Sequence, residues 1–207
     1  MPFWSTQIGA ETDISDPKRK FRFIVMIGGI DSGDSGAIAA WYAKSITKPS
    51  FTIATTEHKY LNHTFYYPGS VTWNEVELKL VDPVDPDMTA TLSDIVVASG
   101  YVIPANSTVL NTMDKQGAVG ALGQVSIKQI NADGKDQEVW TLNNAFITDI
   151  NFGDLEYGSD DINELSVKLR YDWAQCSTPA DGGSKGSAAT QGDKGSNGPF
   201  FSAQSAE

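Results

Sequence analysis

The sequence predicts a mainly β protein: an antiparallel β-sandwich or barrel with one helix and a long β-hairpin. Several short segments alternate apolar and polar residues with a period of two, which is typical of strands that have one covered face. A single stretch, Asp85–Ser99, places its apolar residues at clear helical spacing instead. The chain has 207 residues, 40% of them hydrophobic and 20% charged, which is enough for one domain with a sizeable core.

The N-terminal half begins with a strand and continues into the hairpin. Phe21–Ile27 is apolar on nearly both faces, so we expect a central strand. The glycine-rich stretch 28–36 lacks both common phosphate-loop patterns and is interpreted as a turn. The hairpin is predicted over Ala39–Tyr67, with a turn around His58–Asn62, and Pro49 indicates that its first arm is at least locally an edge strand.

A longer strand, Val71–Val81, is expected after a Pro-Gly turn at Pro68–Gly69. It alternates from Glu75 to Leu80, but the phase slips just before that segment, because Trp73 shares the parity of the charged residues. A bulge at Asn74–Glu75 would return Trp73 to the core side. The alternative is a strand whose first half is buried on both faces, and the sequence leaves both open.

The helix is predicted from its cap and from its periodicity. Asp85 is a suitable N-cap with Pro86 at the first helical position, and Gly100 provides a stop. One apolar face is expected, made of Met88, Leu92, Ile95 and Val96. Asp114–Leu122 could form a second, short helix, although its two glycines weaken that interpretation.

The C-terminal half is predicted to be a series of strands joined by loops. An Asp-Gly turn at Asn131–Gly134 indicates a hairpin. An acidic loop, 153–163, lacks the spacing of a calcium loop. The expected strands are Val125–Ile130, Glu138–Leu142, Phe146–Phe152 and Leu165–Trp173, the last of which alternates most cleanly.

Composition argues against several classes of function. The formal charge of −11 does not suit a protein that grips a phosphate backbone. The single cysteine, Cys176, excludes an internal disulfide, and the two histidines, His58 and His63, have no positioned third ligand. Common catalytic motifs are absent, so we expect no enzyme activity, no metal and no cofactor. We see no signal peptide or apolar membrane span in the sequence, which suggests synthesis inside the cell.

Three parts are expected along the chain. Residues 1–18 are a polar N-terminal arm, in which Phe3 and Trp4 could anchor onto a neighbouring subunit. Residues 19–176 are the β-sandwich domain. Residues 177–207 are a Gly/Ser-rich tail with too few apolar residues to order itself.

The order of several short motifs resembles the tail tube protein of contractile-tailed bacteriophages. The resemblance covers roughly Pro17 to Cys176. The motifs are Lys48-Pro49-Ser50, Glu57 to Leu61, Phe65 to Gly69, Thr72 to Val76, Val81 to Pro83 and the strand Leu165–Trp173. The resemblance implies a β-sandwich subunit that forms hexameric rings, stacked into a hollow tube through which double-stranded DNA passes without specific binding. It also implies a virion protein, assembled in the bacterial host cytoplasm, with sheath, baseplate and tail terminator proteins as partners.

Two sets of residues are candidates for such an assembly. The subunit interface is expected to include Phe3, Trp4, Lys48, Ser50, Thr52, Ile53, Thr55, Thr56, Tyr60 and Tyr66. The lumen is expected to be lined by residues from the polar faces of two strands: Glu75, Glu77, Lys79, Ser166, Lys168 and Arg170.

Two alternatives remain open from the sequence. The tube proteins of extracellular contractile injection systems and of type VI secretion share the fold. A monomeric carbohydrate-binding module would use exposed aromatic side chains, for instance Tyr66, Tyr67 and Tyr157, to stack on sugars.

Overall fold

The computed structural model describes residues 18–30, 42–85, 87–104, 112–158 and 160–178. Within these ranges the chain is mainly β, with antiparallel sheets and two helices, as the sequence predicts. The strands are β1 (Phe23–Ile27), β2 (Ala43–Ile46), β3 (Phe51–Tyr60), β4 (His63–Trp73), β5 (Val76–Val81), β6 (Val125–Ile130), β7 (Asp136–Asn143), β8 (Phe146–Asn151), β9 (Glu164–Arg170) and β10 (Trp173–Ser177). The helices are α1 (Met88–Ala98) and α2 (Lys115–Leu122). The predicted anchors Phe3 and Trp4, most of the glycine-rich turn and almost all of the C-terminal tail lie outside the described residues.

Two four-stranded sheets enclose one hydrophobic core. Sheet A has the order β1-β6-β7-β10 and sheet B the order β2-β5-β9-β8, while β3 and β4 pair only with each other. The inward side chains of both sheets and of α1 belong to one buried cluster. Its fully buried members include Val25, Val125 and Leu142 from sheet A, Val76, Leu78, Leu80, Leu165 and Leu169 from sheet B, and Leu92 from α1.

The predicted strand Val71–Val81 is divided between the hairpin and sheet B. Its first three residues end β4 in the hairpin, and Val76 begins β5 in sheet B. Asn74 and Glu75 form the break, and Trp73 packs half-buried against the core, as the bulge interpretation requires. The alternative of a first half buried on both faces is wrong, because Val71 is 52% exposed.

The predicted strand Leu165–Trp173 is also divided, because the chain changes sheets there. β9 pairs with β8 in sheet B, and β10 pairs with β7 in sheet A. At the corner, Lys115 Nζ lies 2.7 Å from Asp172 Oδ2, and Asn144 Nδ2 donates to the same oxygen at 2.8 Å. The hydrogen bond from Lys115, and to a smaller extent that from Asn144, lowers the pKa of Asp172. Together they hold the corner closed.

Two further predictions need correction, and the possible second helix is confirmed. β1 is not central: among the described residues it pairs only with β6 and ends sheet A. The helix N-cap is Asp87, not Asp85, because the Asp87 carboxylate accepts from Ala90 N at 3.0 Å. The second helix forms despite its glycines, since Asp114 caps it by accepting from Gly117 N.

The hairpin differs from its predicted bounds. β2 pairs with β5 in sheet B, so the hairpin comprises only β3 and β4, over Phe51–Trp73. Its turn is the pair Leu61–Asn62, within the expected region, and Leu61 has a φ of 53°. Pro68–Gly69 is not a turn, since β4 continues through it, and the register shifts by one residue opposite Ala54.

Candidate functional site

The most unusual feature of the described fold is the β3–β4 hairpin, which projects from the sandwich. All ten residues of β3 are exposed, and so are all but two of the eleven in β4. A ten-residue strand is roughly 33 Å long. Eight large apolar side chains of the hairpin are exposed to solvent: Phe51, Ile53, Tyr60, Leu61, Phe65, Tyr66, Tyr67 and Val71.

Apolar side chains occupy both faces of this hairpin. Tyr66 pairs with Glu57, so the two side chains share one face. Tyr67 pairs with Thr56 and therefore lies on the opposite face. A strand with one face on its own core would show apolar residues on one side only. Both faces of the hairpin are thus suited to contact another molecule.

The hairpin is anchored at its root. The rings of Phe51 and Trp73 meet edge to face with centroids 5.1 Å apart, and the ring of Trp73 lies 5.9 Å from that of the buried Tyr171. Asn74 N donates to Ser50 O at 2.8 Å, and the two side chains are joined at 3.0 Å. These contacts fix the direction in which the hairpin leaves the domain.

The structure separates the predicted interface residues into two groups. Thr52, Ile53, Thr55, Thr56, Tyr60 and Tyr66 lie on the hairpin, whereas Lys48 and Ser50 lie in the connector between β2 and β3. Ser50 belongs to the root, as described above. Lys48 faces the domain: its Nζ lies 2.8 Å from both Glu138 Oε1 and Gln129 Oε1.

Sequence reasoning missed several exposed apolar residues of the hairpin. Phe51, Leu61, Phe65 and Val71 were absent from the predicted interface, and all four are exposed. The composition of β3 could have indicated that the apolar residues of its partner β4 are exposed. A threonine-rich β3 has no apolar face for its own core, so the aromatic residues paired with it have no core to enter either.

The six predicted lumen residues come together on the outer face of sheet B. Glu77 pairs with Lys168 and Lys79 with Ser166, while Arg170 Nη1 lies 3.5 Å from Glu75 Oε1. The intervening residues of β5 and β9 point into the core.

The charges on this face are balanced. Asp149 of β8 binds Lys168 at 2.8 Å, and this hydrogen bond raises the pKa of Lys168. Lys44 and Glu164 form another ion pair on sheet B. Within the described residues this face therefore presents charges of both signs paired across neighbouring strands, and not an unneutralised basic stripe of the kind that holds nucleic acid.

The described residues provide no obvious centre for metal chemistry. Within the described ranges, no three His, Cys, Asp or Glu residues are placed to hold a metal ion. His58 and His63 both lie near the hairpin tip, and the His63 ring packs edge to face with Phe65 at 4.7 Å. Burial raises the pKa of the Cys176 thiol, which disfavours the reactive thiolate. No helix in the described part is long and apolar enough to cross a membrane.

Comparisons with known proteins identify the fold. No family model matches the chain, and no curated protein matches it in sequence. Among solved structures, the fold is similar to a chain in the cryo-EM structure of an extracellular contractile injection system, the PVC sheath–tube complex in its extended state. The TM-score is 0.58 at 20% identity, over 80% of this chain and 95% of that one.

Two further structures are similar to the same extent. A chain of the PVC sheath/tube terminator in the extended state gives a TM-score of 0.59 at 20% identity, over 80% of this chain and all of that one. A chain of the anti-feeding prophage cap, a tube-terminating cap, gives 0.59 at 16% identity, over 84% of this chain and all of that one. This chain therefore has the fold found in tube-like assemblies of contractile injection systems.

Proposed function

We propose that this chain is a non-enzymatic structural subunit of the inner tube of a contractile machine. Copies associate through the β3–β4 hairpin into hexameric rings, and the rings stack into a tube. The observation that carries the proposal is the hairpin itself, with eight large apolar side chains exposed on two faces. An isolated two-stranded hairpin is only marginally stable in water, so contact with a neighbouring subunit would stabilise it.

The edges of the hairpin support the same proposal. Among the described residues, β3 pairs only with β4, which leaves the other edge of each strand free to pair with another chain. Closing a ring by such pairing would remove these edges, as closure does in a barrel. The fold likeness to a sheath–tube complex and to a tube-terminating cap supports a place in the same kind of assembly.

Among contractile machines, the first candidate that we propose is a phage tail, because the order of the motifs in the sequence resembles that of phage tail tube proteins. The protein would then belong to the virion tail, would be assembled in the bacterial host cytoplasm, and would contact sheath, baseplate and tail terminator proteins. The second candidate is the tube of an extracellular contractile injection system, favoured by the PVC and anti-feeding prophage structures. The neighbouring genes distinguish the two: capsid and terminase genes for a phage, and toxin cargo genes for an injection system.

In the phage case, DNA would pass through the tube during ejection without binding. We place the outer face of sheet B on the lumen as a proposal, because its mixed charges would hold no phosphate backbone. Wall charges act over about one Debye length, roughly 8–10 Å at cellular salt, and paired charges of opposite sign largely cancel over that distance. A lumen dominated by lysine and arginine in the assembled tube would contradict this assignment.

Electron microscopy of the purified protein tests the proposed function. We expect hollow tubes, or rings when growth is limited. Ile53→Asp on the hairpin should leave a folded monomer, because Ile53 is exposed and contributes little to the core. The matched control is Val84→Asp, which places the same charge on an exposed valine outside the hairpin. The control should still form tubes.

Other outcomes decide against the proposal. If wild type remains a monomer at high concentration, a carbohydrate-binding module becomes the better interpretation, and glycan-array binding would identify its ligand. If both variants assemble normally, the hairpin is not the joint between subunits. If both fail, any new surface charge blocks assembly and the hairpin has no special role.

A further inference from the structure

A basic groove runs along the open side of the sandwich, between β1 and β2. Among the described residues, β1 pairs only with β6 and β2 only with β5, so both outer edges are unpaired within that part of the chain. The groove has a volume of about 710 Å³, and its walls include Phe23, Ile127 and Trp140. Four lysines line it: Lys18, Lys20, Lys44 and Lys48. The groove thus combines apolar walls, free strand edges and positive charge in a chain whose net charge is −11.

One nearly buried carboxylate holds part of this groove together. Glu138 has a side chain only 12% exposed, and its two oxygens lie 2.5 Å from Lys18 Nζ and 2.8 Å from Lys48 Nζ. Trp140 Nε1 also donates to it. Burial alone would raise the pKa of Glu138, but these hydrogen bonds outweigh it and lower the pKa to about 2. Glu138 is therefore charged at neutral pH.

The groove stays basic after its internal ion pairs are counted. Glu138 and Glu164 are the two acids that bind these lysines within the described residues. Four lysines against two glutamates leave an excess of positive charge at the rim. Phe21, at the same rim, is 74% exposed. An occupant that fits would be acidic and would carry apolar side chains.

We propose that residues 1–17 of the same chain occupy this groove in the unassembled subunit. This segment contains Glu11, Asp13 and Asp16 and no lysine or arginine, and it carries Phe3 and Trp4. Its charge therefore complements that of the groove, and its apolar side chains suit the groove walls.

The connection point supports an occupant from the same chain. Lys18, the first described residue, is itself fixed in the groove by Glu138. The fourteen residues between Phe3 and Lys18 can span up to about 46 Å when extended, which is more than the length of either edge strand. A segment tethered this closely has an effective concentration in the millimolar range, which favours its own groove over that of another copy.

The docked segment would cover two free strand edges. Exposed edges are templates for pairing with other chains, and native proteins often cover them. Residues 1–17 would thereby limit unwanted pairing along β1 and β2 while leaving the hairpin accessible. The docking is a property of the single chain and does not depend on tube formation.

Zero-length carbodiimide cross-linking of the native full-length monomer, purified by size exclusion, tests the proposal. We expect amide links between the acids of residues 1–17 and Lys20, Lys44 or Lys48, identified by peptide mass spectrometry. Mixing ¹⁴N- and ¹⁵N-labelled protein separates links within a chain from links between chains. The absence of links from residues 1–17 to the groove overturns the proposal. So do links that carry mixed isotopes, because they would place the segment on another copy.

Hydrogen exchange gives a second, independent measurement. The triple variant E11Q/D13N/D16N should exchange the amides of residues 43–48 about eightfold faster than wild type, since three exposed ion pairs contribute roughly a factor of two each. The matched control, D154N/E156Q/D160N, removes the same number of charges from the exposed loop 153–163 and should leave that exchange unchanged. Equal rates in wild type and in both variants overturn the proposal, as does equal acceleration in the two variants.

Discussion

Replacing Glu138 with glutamine should lower the free energy of unfolding of the domain at neutral pH. The loss should be much smaller in acid. The pKa of Glu138 is about 2 in the folded protein against an ordinary value of 4.5. A difference of about 2.5 units at about 1.36 kcal/mol each gives a contribution of at most about 3.4 kcal/mol at pH 7. Lys18 and Lys48 are each about half exposed, so solvent reduces this value and a measured loss of roughly 1–3 kcal/mol is expected.

The pH dependence follows from the sign of the shift. Because the folded-state pKa is lowered, the stabilisation is fully present above pH 4.5 and is lost as the pH falls towards 2. At pH 3 less than half of it remains, about 1.4 kcal/mol at most. The difference in free energy of unfolding between wild type and Glu138→Gln should shrink accordingly.

Urea denaturation of the unassembled protein, followed by tryptophan fluorescence at pH 7 and pH 3, measures this difference. Glu75→Gln is the matched control, because Glu75 and Arg170 form a wider, 3.5 Å ion pair on the exposed face of sheet B. That variant should lie within about 0.5 kcal/mol of wild type. An equal loss for Glu138→Gln at both pH values would show that its effect is not electrostatic and would refute this reasoning.

Three further predictions concern the helix cap, the hairpin and the tail. Asp87→Ala should cost about 0.5–2 kcal/mol in denaturant unfolding, because it removes the acceptor for Ala90 N, whereas Asp85→Ala should cost much less. Gly69→Val should leave the melting temperature nearly unchanged but reduce tube formation in electron micrographs, since a Cβ there would lie 3.1 Å from a carbonyl oxygen of the opposite strand. Truncation after Thr178 should leave the melting temperature nearly unchanged by calorimetry, and a fall of many degrees would show that the tail packs on the domain.

The local sequence pattern was sufficient to predict the buried face or the bounds of several elements. The alternation in β5 and β9 predicted which side chains face the core, and Val76, Leu78, Leu80 and Leu169 are completely buried. The strand β6 has the predicted bounds, and its Asp-Gly turn forms as expected, with Gly134 at a φ of 77°. The helical face with Met88, Leu92 and Ile95 is buried as predicted. In each case the preference is encoded within a few residues.

The candidate site was only partly predictable. The hairpin and six of its residues were expected, and so were the six charged or polar residues that share the outer face of sheet B. The sequence did not reveal that both faces of the hairpin are exposed, because an aromatic strand has the same pattern in a core as on a projecting arm. It also gave no sign of the Glu138 cluster, whose lysines are 120 and 90 residues away in the chain.

The sequence by itself therefore determined the class of fold, most faces of the strands and the existence of the hairpin. Only the tertiary structure decided where the strands divide and which strands they join. Val71–Val81 and Leu165–Trp173 each read as one strand, yet each crosses from one sheet to another. The sequence predicts β1 as a central strand, but among the described strands it lies at an edge of sheet A. The reason is that a period of two specifies which face of a strand is buried, whereas the choice of hydrogen-bonded neighbour depends on residues far away in the chain.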